Sequence, residues 1–279
     1  YMATIITEDE FFNIKDTLEC GQIFRFKPFG KGYLVFSTDK ACYSYGENGR
    51  TFIECPDEDE EYFRRFFDLD RDYSQVYARA EKSGYEIVRS AATAGRGIRI
   101  LNQDKNETLF SFLVSQNNRI PRIKSIIERT CDARGDKKTF SGEEYMTFPS
   151  AEKLFDEDVG FYSSLGYGYR AGFIQSAARR LKESPGELDA LSSLSTADLK
   201  TSLTNFKGVG PKVADCVSLF AYHRTDAFPV DTWIEKLYRE DFGGTEKDRR
   251  KINEFFVDAF GEDSGYVQQY VFYYKRSIM

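Results

Sequence analysis

Residues 203–231, LTNFKGVGPKVADCVSLFAYHRTDAFPVD, decide how this chain reads. Gly208 and Gly210 interrupt a helical pattern, and Pro211 stands where the first turn of a new helix accepts proline. Val213, Ala214, Val217, Leu219 and Phe220 give that helix an apolar stripe. A helix, a Gly-Val-Gly turn (Gly208, Val209, Gly210) and a second helix form a clamp for a phosphate backbone. The turn's amides and the helix N-terminus are hydrogen-bond donors of the kind phosphate takes. Lys212 lies in the first turn, where the positive helix end and a dry surrounding both disfavour an ammonium, so it is a candidate nucleophilic amine. Asp231 precedes Thr232-Trp233-Ile234 as a helix N-cap. A helix over 212–223 rises roughly 17 Å at about 1.5 Å per residue. The connection 224–230 spans up to about 23 Å, so an antiparallel return can set Asp231 beside Lys212.

GVGPKVADC followed by FPVD resembles the helix-hairpin-helix superfamily of DNA glycosylases. Lysine after the hairpin resembles the branch that also cleaves the strand, and the cysteine of VADC narrows the resemblance to the 8-oxoguanine DNA glycosylases. Taken singly, the same residues describe a glycine C-cap, a surface lysine and a capping aspartate. Lys212 and Asp231 at this spacing favour the chemistry.

At 279 residues the chain can hold two or three modest domains with real cores. Aromatic residues make up 16%, which argues against disorder. No window approaches the length of a membrane span, no secretory signal opens the chain, and Tyr1 before Met2 reads as a remnant. The five cysteines are scattered without a CxxC pair, which points to reduced thiols and away from zinc or an iron–sulfur cluster. The net charge of −6 is unusual for a nucleic-acid binder. A local basic face suffices, however, and Arg119, Arg122, Lys124, Arg129, Arg134, Lys137 and Lys138 crowd one region.

From the N-terminus, Thr7-Glu8-Asp9-Glu10 before Phe11-Phe12 reads as a capping box opening a short helix. Residues 24–26, 33–36, 42–45 and 52–55 read as strands separated by turn signals, an antiparallel meander. Helical spacing then runs over 58–67, 73–82, 85–89, 107–114, 120–131, 169–181 and 198–203, and again over 232–242, 247–260 and 266–276. The expected class is α+β: a small antiparallel β-rich N-terminal domain (1–90) on a two-lobed all-helical body (91–279) that contains the helix-hairpin-helix at 198–223.

Four further segments carry the resemblance. Leu18-Glu19-Cys20-Gly21-Gln22-Ile23-Phe24-Arg25-Phe26 is similar to the family's N-terminal motif, in which the carbonyl matching Gly21 meets N7 of the damaged base. In Ser115-Gln116-Asn117-Asn118, Asn117 matches the residue that enters the gap left by an extruded base, and Arg122 matches a reader of the orphaned partner. Tyr169 and Arg170 match a wedge and a second reader. In Gly265-Tyr266-Val267-Gln268, Gln268 matches the residue on the purine's Watson–Crick edge, and Phe272 with Cys216 the pair that sandwiches the ring. On composition alone the 115–122 segment is a solvated loop, Tyr266, Tyr270 and Tyr273 are a core stripe, and Cys216 is a small buried hydrophobe. His223, the only histidine, receives no role. Where many family members carry histidine two residues after the aspartate, this chain has Trp233.

The resemblance implies excision of 8-oxoguanine from double-stranded DNA, preferentially opposite cytosine. Base flipping is followed by a Schiff base on Lys212 with Asp231 assisting, and then by strand elimination. It requires no metal or organic cofactor, leaving open a hairpin-bound cation that contacts phosphate, and it implies no membrane, a monomer, and a place with the nucleoid or in the nucleus. Two alternatives stay open from the residues: a glycosylase for another damaged base, and a non-catalytic DNA-binding protein that uses the hairpin only as a clamp.

Overall fold

The computed structural model describes residues 1–8 and 10–277. Strands β1 (Met2–Thr7), β2 (Phe26–Phe29), β3 (Gly32–Ser37), β4 (Lys40–Glu47) and β5 (Arg50–Pro56) form one antiparallel sheet in the order β1-β5-β4-β3-β2. Helix α1 (Ile14–Glu19) crosses between β1 and β2. The register pairs Ile5 with Ile53 and Val35 with Cys42, and alternation sends these four to one face. There they meet Phe63 and Phe66 of α2 (Glu60–Phe66) and Phe67 just beyond it, a core of its own.

The rest is mostly helical: α3 (Tyr73–Glu81), α4 (Glu86–Ala94), α5 (Lys105–Ser115), α6 (Ile120–Arg134), α7 (Ala151–Leu154), α8 (Val159–Ser164), α9 (Ala171–Glu183), α10 (Glu187–Ala190), α11 (Thr196–Leu203), α12 (Pro211–Ala221), α13 (Thr232–Asp241), α14 (Arg249–Phe260) and α15 (Ser264–Ser277). A small sheet on a helical body is the α+β class expected from the sequence. The larger core lies among these helices, with α5 and α12 joined by stacking of Phe112 on Phe220 at 5.4 Å. Residue 90 lies inside α4, which packs on α15. Tyr266 and Tyr270 are buried in that core, whereas Tyr273 donates to Asp16 at 2.7 Å.

Several expectations are corrected. The first helix opens at Ile14, capped by Asn13, whose side chain accepts from the Asp16 amide at 3.1 Å. No helix opens at residues 10–12, where the capping box leads the sequence reading to expect one, and Asp9 of that box lies outside the described residues. Strand β2 starts at Phe26 because Phe24 and Arg25 turn inward. Arg25 donates to the Met146 carbonyl at 2.6 Å and pairs with buried Glu107 of α5 at 3.4 Å. Strand β1 and the hairpin β6 (Lys137–Phe140)–β7 (Glu143–Met146) were not foreseen. The hairpin's signal was Ser141-Gly142, both at positive φ (51° and 78°), the turn a two-residue hairpin needs. It covers the other face of the sheet, where Tyr145 stacks on Phe36 at 5.0 Å.

Three of the seven residues of the expected basic region are paired with acids. Lys137 pairs with Glu144, Lys138 with Asp39, and Arg134 with Glu157. His223 has a structural place: its Nε2 lies 3.2 Å from both the Ile100 carbonyl and Asp68 Oδ2, joining the end of α12 to the segments before α5.

Candidate active site

The hairpin between α11 and α12 is held from beneath. Gly208 sits at φ +88°, where an L side chain is strained, and a Cβ there would collide with the Phe173 ring. The Val209 amide donates to the Phe206 carbonyl at 3.0 Å, and Arg180 lies over the Phe206 ring at 4.1 Å. Gly210 is the N-cap of α12, with Pro211 in its first turn and Lys212 next.

Lys212 is half-buried, its ammonium 5.5 Å from the Phe112 ring centre. Asp231 caps α13: its Oδ1 accepts the amides of Trp233 and Ile234, each at 3.0 Å. Its Oδ2 accepts no hydrogen bond among the described residues. Cys216, one turn after Lys212 and 3% exposed, feels both groups. Burial pushes its thiol up to about 11. The Lys212 charge and its hydrogen bond act the other way, and Asp215 and Asp231 push it up further. Lys212 and Asp231 therefore both lie within electrostatic reach of this thiol.

Lys212 and Asp231 open on a cleft of about 1580 Å³, lined also by Gly21, Asn117, Tyr169, Gly210 and Phe272 among others. Seven of the residues singled out from sequence, from segments far apart in the chain, thus meet in one place. Gly21 adopts φ +97°, and a Cβ on it would lie 3.2 Å from Phe272. Its position is fixed by Gln22, which is fully buried. Gln22 Nε2 donates to the Thr17 and Arg99 carbonyls at 2.9 and 2.7 Å, and its Oε1 accepts the Leu101 amide at 2.9 Å. Asn117, at φ +45°, is exposed at the rim, a strained conformation of the kind that clusters at functional sites. Tyr169 is 59% exposed beside it.

The other singled-out residues do not line the cleft. Cys216 and Gln268 are buried at 3% and 4% exposure, and Gln268 Oε1 accepts from Gln269 at 2.6 Å. Gly208 and Val209 form the hairpin behind Gly210. Arg122 is exposed and donates to the Gly166 carbonyl at 3.3 Å. Arg170, for which the resemblance implies contact with a partner base, is instead 4% exposed. Its guanidinium is spent on the Gln116 and Asn117 carbonyls, beneath the loop that presents Asn117.

Sequence reasoning missed a buried support. Asp215, in the apolar stripe of α12, pairs with Lys200 of α11 at 2.6 Å. It also accepts from Asn253 of α14 at 3.2 Å, and Asn253 donates to the Phe228 carbonyl of the FPVD loop at 2.6 Å. The helix of Lys212 and the loop of Asp231 are thereby tied. An acid three residues after Lys212 on an apolar face was the available signal, since a buried carboxylate needs a partner. Trp233, the sole tryptophan, also lines the cleft at 39% exposure, and so does Arg276. A second cavity, of about 860 Å³, lies near Thr38, Asp104 and Leu181 and contains none of the singled-out residues. No described helix is long and apolar enough to cross a membrane.

Comparison with known proteins gives concordant results. The family model described as 8-oxoguanine DNA glycosylase, N-terminal domain, matches residues 4–109. The probable N-glycosylase/DNA lyase of Methanothermobacter thermautotrophicus is 31% identical over 248 residues, 81% of this chain and 78% of that protein. The N-glycosylase/DNA lyase of Saccharomyces cerevisiae is 33% identical over 193 residues, and this chain spans 50% of its length. Among solved structures, the 8-oxoguanine glycosylase/lyase of Clostridium acetobutylicum, in complex with double-stranded DNA containing cytosine opposite 8-oxoG, superposes with a TM-score of 0.91. It is 32% identical, over 96% of this chain and 92% of that one.

Proposed function

We infer the reaction from one premise: this chain belongs to the 8-oxoguanine glycosylase/lyase family of DNA-repair enzymes. It excises 8-oxoguanine from double-stranded DNA and cleaves the strand at the resulting abasic site.

C1′ of a stacked nucleotide is out of reach, so the damaged nucleotide must leave the duplex. In our reading Asn117 and Tyr169, exposed at the rim, take up the gap, and the hairpin 208–210 holds the backbone. The base enters between Phe272 and the wall that contains Cys216, with Gly21 at N7 and Gln268 at the Watson–Crick edge. Lys212, as a free amine, attacks C1′ and expels the base. Asp231, its charge directed by the two amides on Oδ1, stabilises the positive charge that develops on the sugar. The C1′–O4′ bond of this adduct then breaks, O4′ taking up a proton, and leaves an iminium that acidifies the C2′ proton, whose loss expels the 3′ phosphate. The iminium on Lys212 is the electron sink for that elimination, so these steps draw on no cofactor.

Arg122 meets the partner base from the rim. Its donors suit the adjacent O2 and N3 acceptors of cytosine, whereas the other three bases set a donor against it. Arg170 props the Asn117 loop. One chain contains the whole cleft, so a monomer suffices, and the substrate puts the protein wherever the genome is kept.

The observation that carries this reading is that Lys212 and Asp231 open on one cleft with Gly21, Asn117 and Phe272. Borohydride reduction during turnover tests it. The wild type becomes covalently attached to 8-oxoguanine duplex, most efficiently opposite cytosine, while Lys212→Gln binds the duplex and is not trapped. Trapping of Lys212→Gln assigns the chemistry to another amine, and absence of trapping in the wild type overturns the lyase assignment.

A further inference from the structure

Arg276 stands in the last turn of α15, four residues after Phe272 and therefore on the same helix face. Its neighbour Lys275 is spent on Asp241 at 2.7 Å. Arg276 is not so occupied. Its Nη1 is buried and has no hydrogen-bond partner among the described residues. The same atom lies 3.1 Å from where a Cβ on Gly21 would stand, and the guanidinium carbon lies 5.3 Å from the Phe272 ring centre. Arg276 lines the cleft together with both residues. The nearby Cys20 offers no counter-charge, because burial pushes its thiol up to about 12. A buried cationic donor without an acceptor is costly, and this one points at the place where Gly21 and Phe272 meet.

We propose that Arg276 is a specificity-determining residue of the base pocket, donating a hydrogen bond to a carbonyl oxygen beside N7 of the extruded purine. The proposal rests on the reading above, in which Gly21 meets N7. The edge of 8-oxoguanine centred on N7 runs O6, N7–H, O8: acceptor, donor, acceptor. Its complement is donor, acceptor, donor. The Gly21 carbonyl supplies the central acceptor, and a guanidinium, which has only donors, supplies one flank. If that flank meets O8, Arg276 adds to discrimination against guanine, which has no oxygen there. If it meets O6, it binds both purines and selects against an amino group at C6.

The test is Arg276→Met, a side chain of similar reach without donors, measured under single-turnover conditions on three duplexes. Excision of 8-oxoguanine opposite cytosine should fall by about tenfold or more, the effect of one hydrogen bond from a charged donor. Cleavage at a preformed abasic site, which carries no base, should keep the wild-type rate. 8-oxoadenine retains N7–H and O8 but has an amine at C6, so it separates the two oxygens. The same fold loss on it assigns O8, and no loss assigns O6. Equal losses on the abasic duplex would show that Arg276 acts through the fold or through Lys212, and would overturn the proposal. So would an unchanged rate on 8-oxoguanine, or a faster one, which would mark the guanidinium as an occupant the base displaces. Wild-type protein that leaves 8-oxoguanine intact while cleaving the abasic duplex would instead refute the substrate assignment itself.

Discussion

Asp231 shows how one side chain serves two ends through two oxygens. Oδ1 takes the Trp233 and Ile234 amides and starts α13, while Oδ2 is left for the cleft. The two functions are separable, because asparagine caps a helix about as well as aspartate but carries no charge. Asp231→Asn should therefore leave the melting temperature nearly unchanged and slow single-turnover base excision severely. Asp231→Ala should lose the same activity and, in addition, about 1 kcal/mol of stability. Near-normal excision by the asparagine variant would reduce Asp231 to a cap. Lys212 and Asp231 were legible in sequence because each sits beside a strong local signal, a glycine hairpin and a helix start. Arg276 was not, because nothing near residue 276 reveals that it faces Gly21 at the other end of the chain.

The helix-hairpin-helix is the element on which the site depends, and its weakest tolerance is at Gly208. The positive φ and the Phe173 ring leave no room for a Cβ. Gly208→Ala should strain the turn by roughly 1–3 kcal/mol and displace its amides from phosphate. We expect a lower melting temperature and weaker binding to lesion and undamaged duplex alike, measured by titration at two salt concentrations. A loss of lesion binding alone would place the hairpin in base recognition rather than on the backbone. At this scale the long helices were legible from their apolar spacing. Strand β1, the β6–β7 hairpin and the four-residue helices α7 and α10 were not, since so few residues hold too little periodicity to separate helix, strand and loop.

Over the whole molecule, the geometry of the cleft hangs on a buried carboxyl group. Asp215 ties α11, α12 and, through Asn253, the loop before Asp231. Burial raises its carboxyl to about 6, against the opposing pull of Lys200 and Asn253. The folded state therefore holds this proton more tightly than the unfolded chain, whose value is 3.8. Between those limits the folded protein binds more protons, so this group's contribution to stability falls as pH rises from about 4 to about 6. Its size is on the order of 3 kcal/mol. Asp215→Asn, compared with wild type by thermal unfolding across that range, should lack this part of the slope. Parallel curves for the two proteins would show that Asp215 stays ionised throughout.

The sequence alone determined the class of the protein and singled out Lys212 and Asp231 as its candidate reacting pair. Glycines at a hairpin, a lysine one step into a helix and an aspartate at a helix start are local facts, expressed within a few residues. Only the tertiary structure decided which side chains face the cleft, which are buried behind it and which are spent elsewhere. It put Gly21 against Phe272 and Arg276, turned Arg170 under the Asn117 loop, paired off Lys137 and Lys138, and set Asp215 beneath the cleft. Those outcomes depend on contacts between residues distant in sequence, where burial and competition for hydrogen-bond partners, rather than local propensity, choose the neighbour.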